Sequence, residues 1–428
     1  MKKNFIRIIE IAHLKLFGCK MSDEMRLFFS NLRYVAIGYG FAALFLFAFQ
    51  VLAGRFLGPI SYGKYILATS VGGFLAIFIM FGLYTAMIKY NAEKKEYARQ
   101  STIISTTFFM ILFSSSIFMT IYIILAHPLS KIFHLPLEIF YLACIFALFY
   151  VLYMFLASAL QGLFEMKKLS YLQLSYGPVL FLLLISFVIL KIISYKTMVF
   201  CLIGTNIIIS IASLVILRSY IKFIFSRFWF KKLINYSIYG AMGGIASAFY
   251  LNIDKLLINK FLTQEDVGIY GAYYFVFIST LISLYGIINV VFFPFVSRHR
   301  DKRLVFEKIN KSLPFLASLL FLSIIIFGYI VLKFYGHAYT FKLTQFPLFA
   351  FAGVCMIFYG LYVWLMASEG RRGIRITGIT GIVFAFLNVL LNLILIPRLG
   401  INGAVLALII PCIILTGFIF HKSKIIFS

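Results

Sequence analysis

The stretch AFYLNIDKLLINKFL, residues 248–262, sets Asp254 beside Lys255 in an otherwise apolar, helix-like run. An ionisable side chain inside a bilayer is costly, so it marks a functional site or a paired structural charge. A helix advances about 100° per residue, which puts Asn252, Lys255 and Asn259 within about 60° of one another. Such a stripe, one cation and two amides, could line a watery cavity and hold an anionic substrate. Asp254 projects almost oppositely, with Tyr250 and Phe261, where a neighbouring helix would have to supply a donor or cation. The expectation is that Lys255 faces substrate while Asp254 is a structural or coupling carboxylate.

Other residue patterns carry less chemistry. Gly58-PISY-Gly63-Lys64 has P-loop spacing, but Tyr65 replaces the required Ser or Thr and a membrane helix precedes it. A nucleotide site is rejected, so any transport would have to be powered by an ion gradient or by a substrate's own gradient. Asn388 and Asn392, four apart on one helical face, either bond to another helix or line a polar cavity. Gly240, Gly244 and Ser247 give one helix a small-residue face suited to close packing or sliding. Pro294, Pro397 and Pro411 interrupt the second half of the chain. Five cysteines without CxxC spacing suggest neither metal nor disulfide framework. His127, His134, Glu138, Glu265 and Asp266 lack catalytic spacing, so an enzyme is not expected, nor any cofactor.

These residues must be positioned by membrane helices. The 428 residues are 63% hydrophobic and 12% charged, a balance that leaves too little polar surface for a soluble domain. With about 20 apolar residues per crossing, twelve spans are expected: 34–54, 65–88, 102–126, 139–163, 171–190, 198–217, 233–262, 268–297, 312–334, 343–367, 376–396 and 402–420. With both termini inside, 29 of the 39 Lys and Arg residues fall on the inner side and 10 on the outer, the asymmetry of cytoplasmic loops. The net charge of +26 then reports topology, not nucleic acid. Residues 1–33 read as a cytoplasmic amphipathic segment, 34–217 and 233–420 as two six-span lobes, 218–232 as an interfacial helical linker, and 421–428 as a cytoplasmic tail.

A repeat supports two lobes. RFLGPISYGKY (55–65) and KFLTQEDVGIY (260–270) share [RK]-F-L-x5-G-x-Y at an offset of 205. Six spans lie between the copies, so they have the same orientation, as in parallel repeats about an axis along the membrane normal.

LAGRFLGPISYGKY, NIDKLLINKFLTQEDVGIYGAYY, VVFFPFVSRHR and LNLILIPRLGINGAVLAL together resemble the polysaccharide (O-antigen) flippases of the Wzx type, in the multidrug/oligosaccharidyl-lipid/polysaccharide exporter superfamily. The resemblance implies an all-α polytopic fold of about twelve transmembrane helices in two lobes around a central cavity. It implies alternating-access movement of oligosaccharide repeat units on undecaprenyl pyrophosphate across the bacterial cytoplasmic membrane, for O-antigen or lipopolysaccharide assembly. Polysaccharide polymerase, glycosyltransferases and a coupling H+ or Na+ are implied partners. By matching motif, Arg55, Gly58, Gly63, Asp254, Gly268, Tyr270, Pro294, Pro397 and Gly400 hold family-typical, mostly architectural places. A cationic lumen would come from Lys89, Lys255, Arg33 and Arg298.

Two rivals stand beside this reading. A multidrug antiporter of the same fold would bind cations through acidic or aromatic cavities, and Asp254 is the one carboxylate inside an expected span. A membrane glycan polymerase or ligase would need a reactive constellation on a sizeable external loop, which the sequence lacks.

Overall fold

The fold is given by a computed structural model that describes residues 23–93, 96–286 and 302–427. Among these every regular element is a helix, as a bilayer requires of an open chain, because helices satisfy their own backbone groups. The elements are α1 (Asp23–Met80), α2 (Leu83–Glu93), α3 (Tyr97–Phe133), α4 (Leu137–Gly162), α5 (Met166–Ile189) and α6 (Tyr195–Leu217). They continue with α7 (Arg227–Phe261), α8 (Gln264–Tyr273, extended by a π-helical turn, Tyr274–Ser279), α9 (Lys302–Tyr335), α10 (Phe346–Ala367), α11 (Arg371–Leu399) and α12 (Ile401–Phe427). Pro294 and Arg298 lie outside the described residues.

The first two expected spans form one bent helix. α1 breaks at Gly58, whose φ of 67° and ψ of 170° are non-helical. Glycine accepts that positive φ without a Cβ clash, and Pro59, lacking an N–H, restarts the helix where none is needed. The second span divides again at Phe81–Gly82, both with positive φ, and α2 completes it.

Ten helices among the described residues are long and apolar enough to cross a membrane. The first of these, Ile37–Met80, spans 44 residues and contains the Gly58 bend, so it covers two crossings. α7 is not among the ten, because its glycines, serines and polar Asn252–Asp254–Lys255 segment dilute its apolarity. At 35 residues it is nevertheless about 50 Å long, and it packs on α1, α2, α3 and α11.

The lobes repeat in their packing. α1 lies against α5 as α7 lies against α11, and α4 against α6 as α10 against α12. The lobes meet where α7 packs on α1, α2 and α3 and where α1 crosses α8. There a Cβ on Gly63 would stand 1.9 Å from the Gln264 carbonyl oxygen, and one on Gly268 would stand 1.9 Å from that of Pro59. Gly63 pairs with Gly268, and Pro59 with Gln264, by the same offset of 205. The two repeated turns therefore clasp each other reciprocally about a pseudo-twofold axis. The contact also leaves no room for a phosphate in the P-loop-like segment.

The linker is not the expected helix. Residues 221–226 are irregular and are pinned to α3: Ser105 Oγ accepts from the Lys222 N–H at 2.8 Å, and Thr106 Oγ1 from the Ser226 N–H at 3.2 Å. Ser226 then caps α7 by accepting from the Trp229 N–H.

Candidate functional site between the lobes

The site begins with the charge pair. Asp254 and Lys255 are 2% and 6% exposed, and Lys255 Nζ lies 3.0 Å from Asp254 Oδ1. The expectation that these neighbours face apart is overturned. Their backbone positions do diverge, but the lysine stem is long enough to fold back, and in a low-dielectric interior each charge needs the other. The Lys255 backbone N–H also donates to Asp254 Oδ1 at 2.8 Å, and the Tyr270 hydroxyl donates to Oδ2. Lys255 Nζ donates to the Leu251 carbonyl as well and sits 3.9 Å from the centroid of the Tyr274 ring.

The pair is ordered in depth. Lys255 lines a cavity of about 390 Å3 between the lobes, while Asp254 stands behind it and does not line the wall. Asn252, Tyr274, Phe275, Ser279 and Ser283 complete the C-lobe wall; Gln50, Tyr62, Tyr65, Thr69 and Ser70 form the N-lobe wall. Gln50 Nε2 donates to the Tyr65 hydroxyl at 2.9 Å, and the Tyr62 hydroxyl to Gln50 Oε1 at 3.3 Å. Four pairs of lining residues, Gln50/Lys255, Ile66/Gly271, Thr69/Tyr274 and Ser70/Phe275, are each 205 positions apart. The cavity thus lies on the pseudo-twofold axis. Its shape follows the repeat, but its charge does not: the N-lobe offers an amide where the C-lobe offers an ammonium.

The π turn Tyr274–Ser279 adds to this asymmetry. It shifts the helical register where Tyr274, Phe275 and Ser279 meet the cavity, a common use of π segments at functional sites. A second cavity of about 330 Å3 follows along α1 and α7, lined by Gly73, Met80, Tyr84, Tyr150, Gly244 and Ser247 among others. Asn252 lines both. The small face of α7 packs most closely at Gly240, where a Cβ would stand 2.5 Å from Thr85 Oγ1; Gly244 and Ser247 line the second cavity.

The other sequence-derived candidates disperse. Asn259 is turned away from the cavity: its Nδ2 donates to the carbonyls of Phe133 and His134, at 2.7 and 3.3 Å, and ties α7 to the end of α3. Asn388 Nδ2 donates to the Ala407 carbonyl at 3.1 Å and Asn392 Nδ2 to the Asn388 carbonyl at 2.8 Å. Asn388 thus joins α11 to α12, Asn392 bonds back to Asn388 within α11, and neither lines the cavity. Lys89 sits on the Tyr236 ring, 4.0 Å from its centroid, apart from the Lys255 cavity. Arg33 belongs to the first turns of α1, and its side chain lies outside the described residues. Arg55 is exposed. Pro397 and Gly400 end α11, Gly400 with φ 58°. Among the described residues no cluster of metal-binding side chains occurs.

Sequence reasoning passed over Gln50, Tyr62 and Tyr274. One signal could have found Gln50: the repeat offset applied to Lys255 lands on it.

Comparison with solved structures places this fold among transporters. An inward-facing multidrug resistance MATE family transporter of the MOP superfamily superposes with a TM-score of 0.71 at 12% identity, over 90% of this chain and 94% of that one. A MOP superfamily transporter from Pyrococcus furiosus gives 0.61 at 13%, over 94% and 96%. An outward-facing MATE family transporter gives 0.55 at 12%, over 93% and 96%. No curated protein matches the sequence. The model of one family, described as "Polysaccharide biosynthesis protein", matches residues 28–300, spanning the repeated turns, the charge pair and most of the cavity lining, and the chain belongs to that family.

Proposed function

We propose that the protein is a flippase that carries oligosaccharide repeat units linked to undecaprenyl pyrophosphate across the bacterial cytoplasmic membrane, both termini facing the cytoplasm. The observation that carries this reading is the order of the charge pair: the ammonium of Lys255 fronts the cavity and the carboxylate of Asp254 stands behind it. A diphosphate approaching the wall meets a cation, a ring-bound hydroxyl and the Asn252 amide. A sugar joined to it meets Gln50, Thr69, Ser70 and the Tyr62 and Tyr65 rings on the other lobe.

The volume of the cavity matches a headgroup and not a whole oligosaccharide. The lobes must therefore part for the glycan to pass, and the glycine clasp of α1 and α8 is the seam along which they would part at the outer end. Alternating access in this reading is rocking of one lobe against the other.

The rival of the same fold is an organic-cation antiporter. It draws support from Asp254, from the Tyr274 ring over the cavity and from the multidrug transporters of like fold. A related fold is described as having a binding pocket of reverse polarity, which fits the view that this architecture serves both signs of substrate. Complementation separates the two. Expression in a strain lacking its own polysaccharide flippase should restore surface glycan and leave resistance to cationic dyes unchanged. Dye resistance without glycan display would favour the antiporter.

A further inference from the structure

A second concentration of charge lies at the end of the lobe interface opposite the glycine clasp, where α2, α3 and α7 meet near the linker. Three rings, Tyr90 on α2 and Trp229 and Tyr236 on α7, form a platform: the Tyr90 centroid is 5.8 Å from each of the other two. Tyr90 and Trp229 are buried. Three cations ride on it. Lys89 Nζ is 4.0 Å from the Tyr236 centroid, Lys232 Nζ is 5.2 Å from both Tyr90 and Trp229, and Arg99 Cζ is 5.1 Å from Trp229.

Among the described residues, acids do not balance them. Among the described residues the one carboxylate in the cluster is Glu93, which pairs with Arg99 at 2.9 Å; neither lysine has an ion-pair partner. Arg99 Nε is buried without an acceptor. Ring faces hold cations in place but do not cancel their mutual repulsion. An anion with several acceptor oxygens would.

The neighbouring surface indicates what such an anion is attached to. Phe223, 88% exposed, Phe225 and Phe228 are presented outward on the linker and first turn of α7. Basic residues beside exposed aromatics at a helix end suit a lipid headgroup with its acyl chains alongside. We propose that Lys89, Lys232 and Arg99, on the Tyr90–Trp229–Tyr236 platform, bind the phosphate of an anionic membrane phospholipid. The site is made by both lobes, Lys89 and Arg99 from the N-lobe and Lys232 from the C-lobe, so a bound phosphate bridges them at this end. This inference does not depend on which substrate the central cavity carries.

The test uses the full chain in nanodiscs of phosphatidylcholine alone or with added phosphatidylglycerol, reading thermal stability and the lipid retained in native mass spectra. The anionic lipid should raise the unfolding temperature of the wild type and be retained as a discrete adduct. Lys89→Gln/Lys232→Gln should lose most of the increase and the adduct, while Lys89→Arg/Lys232→Arg keeps both. The increment is taken relative to each variant in phosphatidylcholine, so a general loss of stability does not count. An undiminished increment in the Gln double variant would overturn the site. An equal effect of inorganic diphosphate in phosphatidylcholine discs would overturn the lipid as its occupant.

Discussion

Asp254 answers to three groups, Lys255 Nζ, the Lys255 N–H and the Tyr270 hydroxyl, and each fixes an expectation. Removing the carboxylate in Asp254→Ala leaves a buried ammonium without its counter-ion, a loss of about 3–5 kcal/mol by the scale for broken buried pairs. Membrane abundance and unfolding temperature should both fall. Tyr270→Phe removes one neutral donor and should cost less, about 1–3 kcal/mol. Lys255→Arg keeps a cation at the wall and should preserve glycan display, whereas Lys255→Ala should lose it. A stable, abundant but inactive Asp254→Ala beside a fully active Lys255→Ala would reverse these roles and make Asp254 the coupling residue. The sequence made the unusual charges visible, because nothing else in α7 explains their cost in a bilayer. It did not show that they pair: helical angle places Cα atoms, whereas a four-carbon stem places an ammonium. The same gap misplaced Asn259, which shares a face with Lys255 at the backbone yet spends its amide on the end of α3.

At the scale of elements, the repeated turn around Gly63 and Gly268 was legible in the sequence, whereas the continuity of the bent α1 and the clasp of α1 with α8 emerge only once the two turns are packed together. α7 was legible as the span 233–262 although its small and polar residues, which line cavities and pack on α2, lower its apolarity. The π turn in α8 had no signal in the sequence; its Tyr274 ring lies by Lys255 and its Phe275 ring against Phe47 of the N-lobe. The clasp yields a prediction. A side chain at Gly63 would collide with the Gln264 carbonyl, so Gly63→Val should wedge the lobes apart at the outer end. A cysteine at Ser70, inside the cavity, should then react faster with an impermeant thiol reagent added outside. Unchanged reactivity in a folded Gly63→Val protein would remove the clasp as an outer closure. Gly268→Val, its repeat partner, should act alike.

For the molecule as a whole, the twofold was readable from eleven residues, and the charge asymmetry it carries was not, since that needs both walls of the cavity at once. Cysteines at Ile192 and Phe223, both exposed, should be labelled from outside and from inside respectively, and labelling from one side only would overturn the twelve-span topology. The axis permits a stricter trial of the cavity. If Gln50 and Lys255 occupy equivalent positions around one headgroup, the cation can be moved across the axis. The most direct measurement is leaflet transfer of a fluorescent polyprenyl-diphosphate sugar in proteoliposomes, read by quencher accessibility. Wild type should transfer it, Lys255→Gln should be slowed by at least about tenfold, equivalent to some 1.4 kcal/mol of lost interaction, and Gln50→Lys/Lys255→Gln should recover much of the rate. Transfer by Lys255→Gln at the wild-type rate would contradict the account.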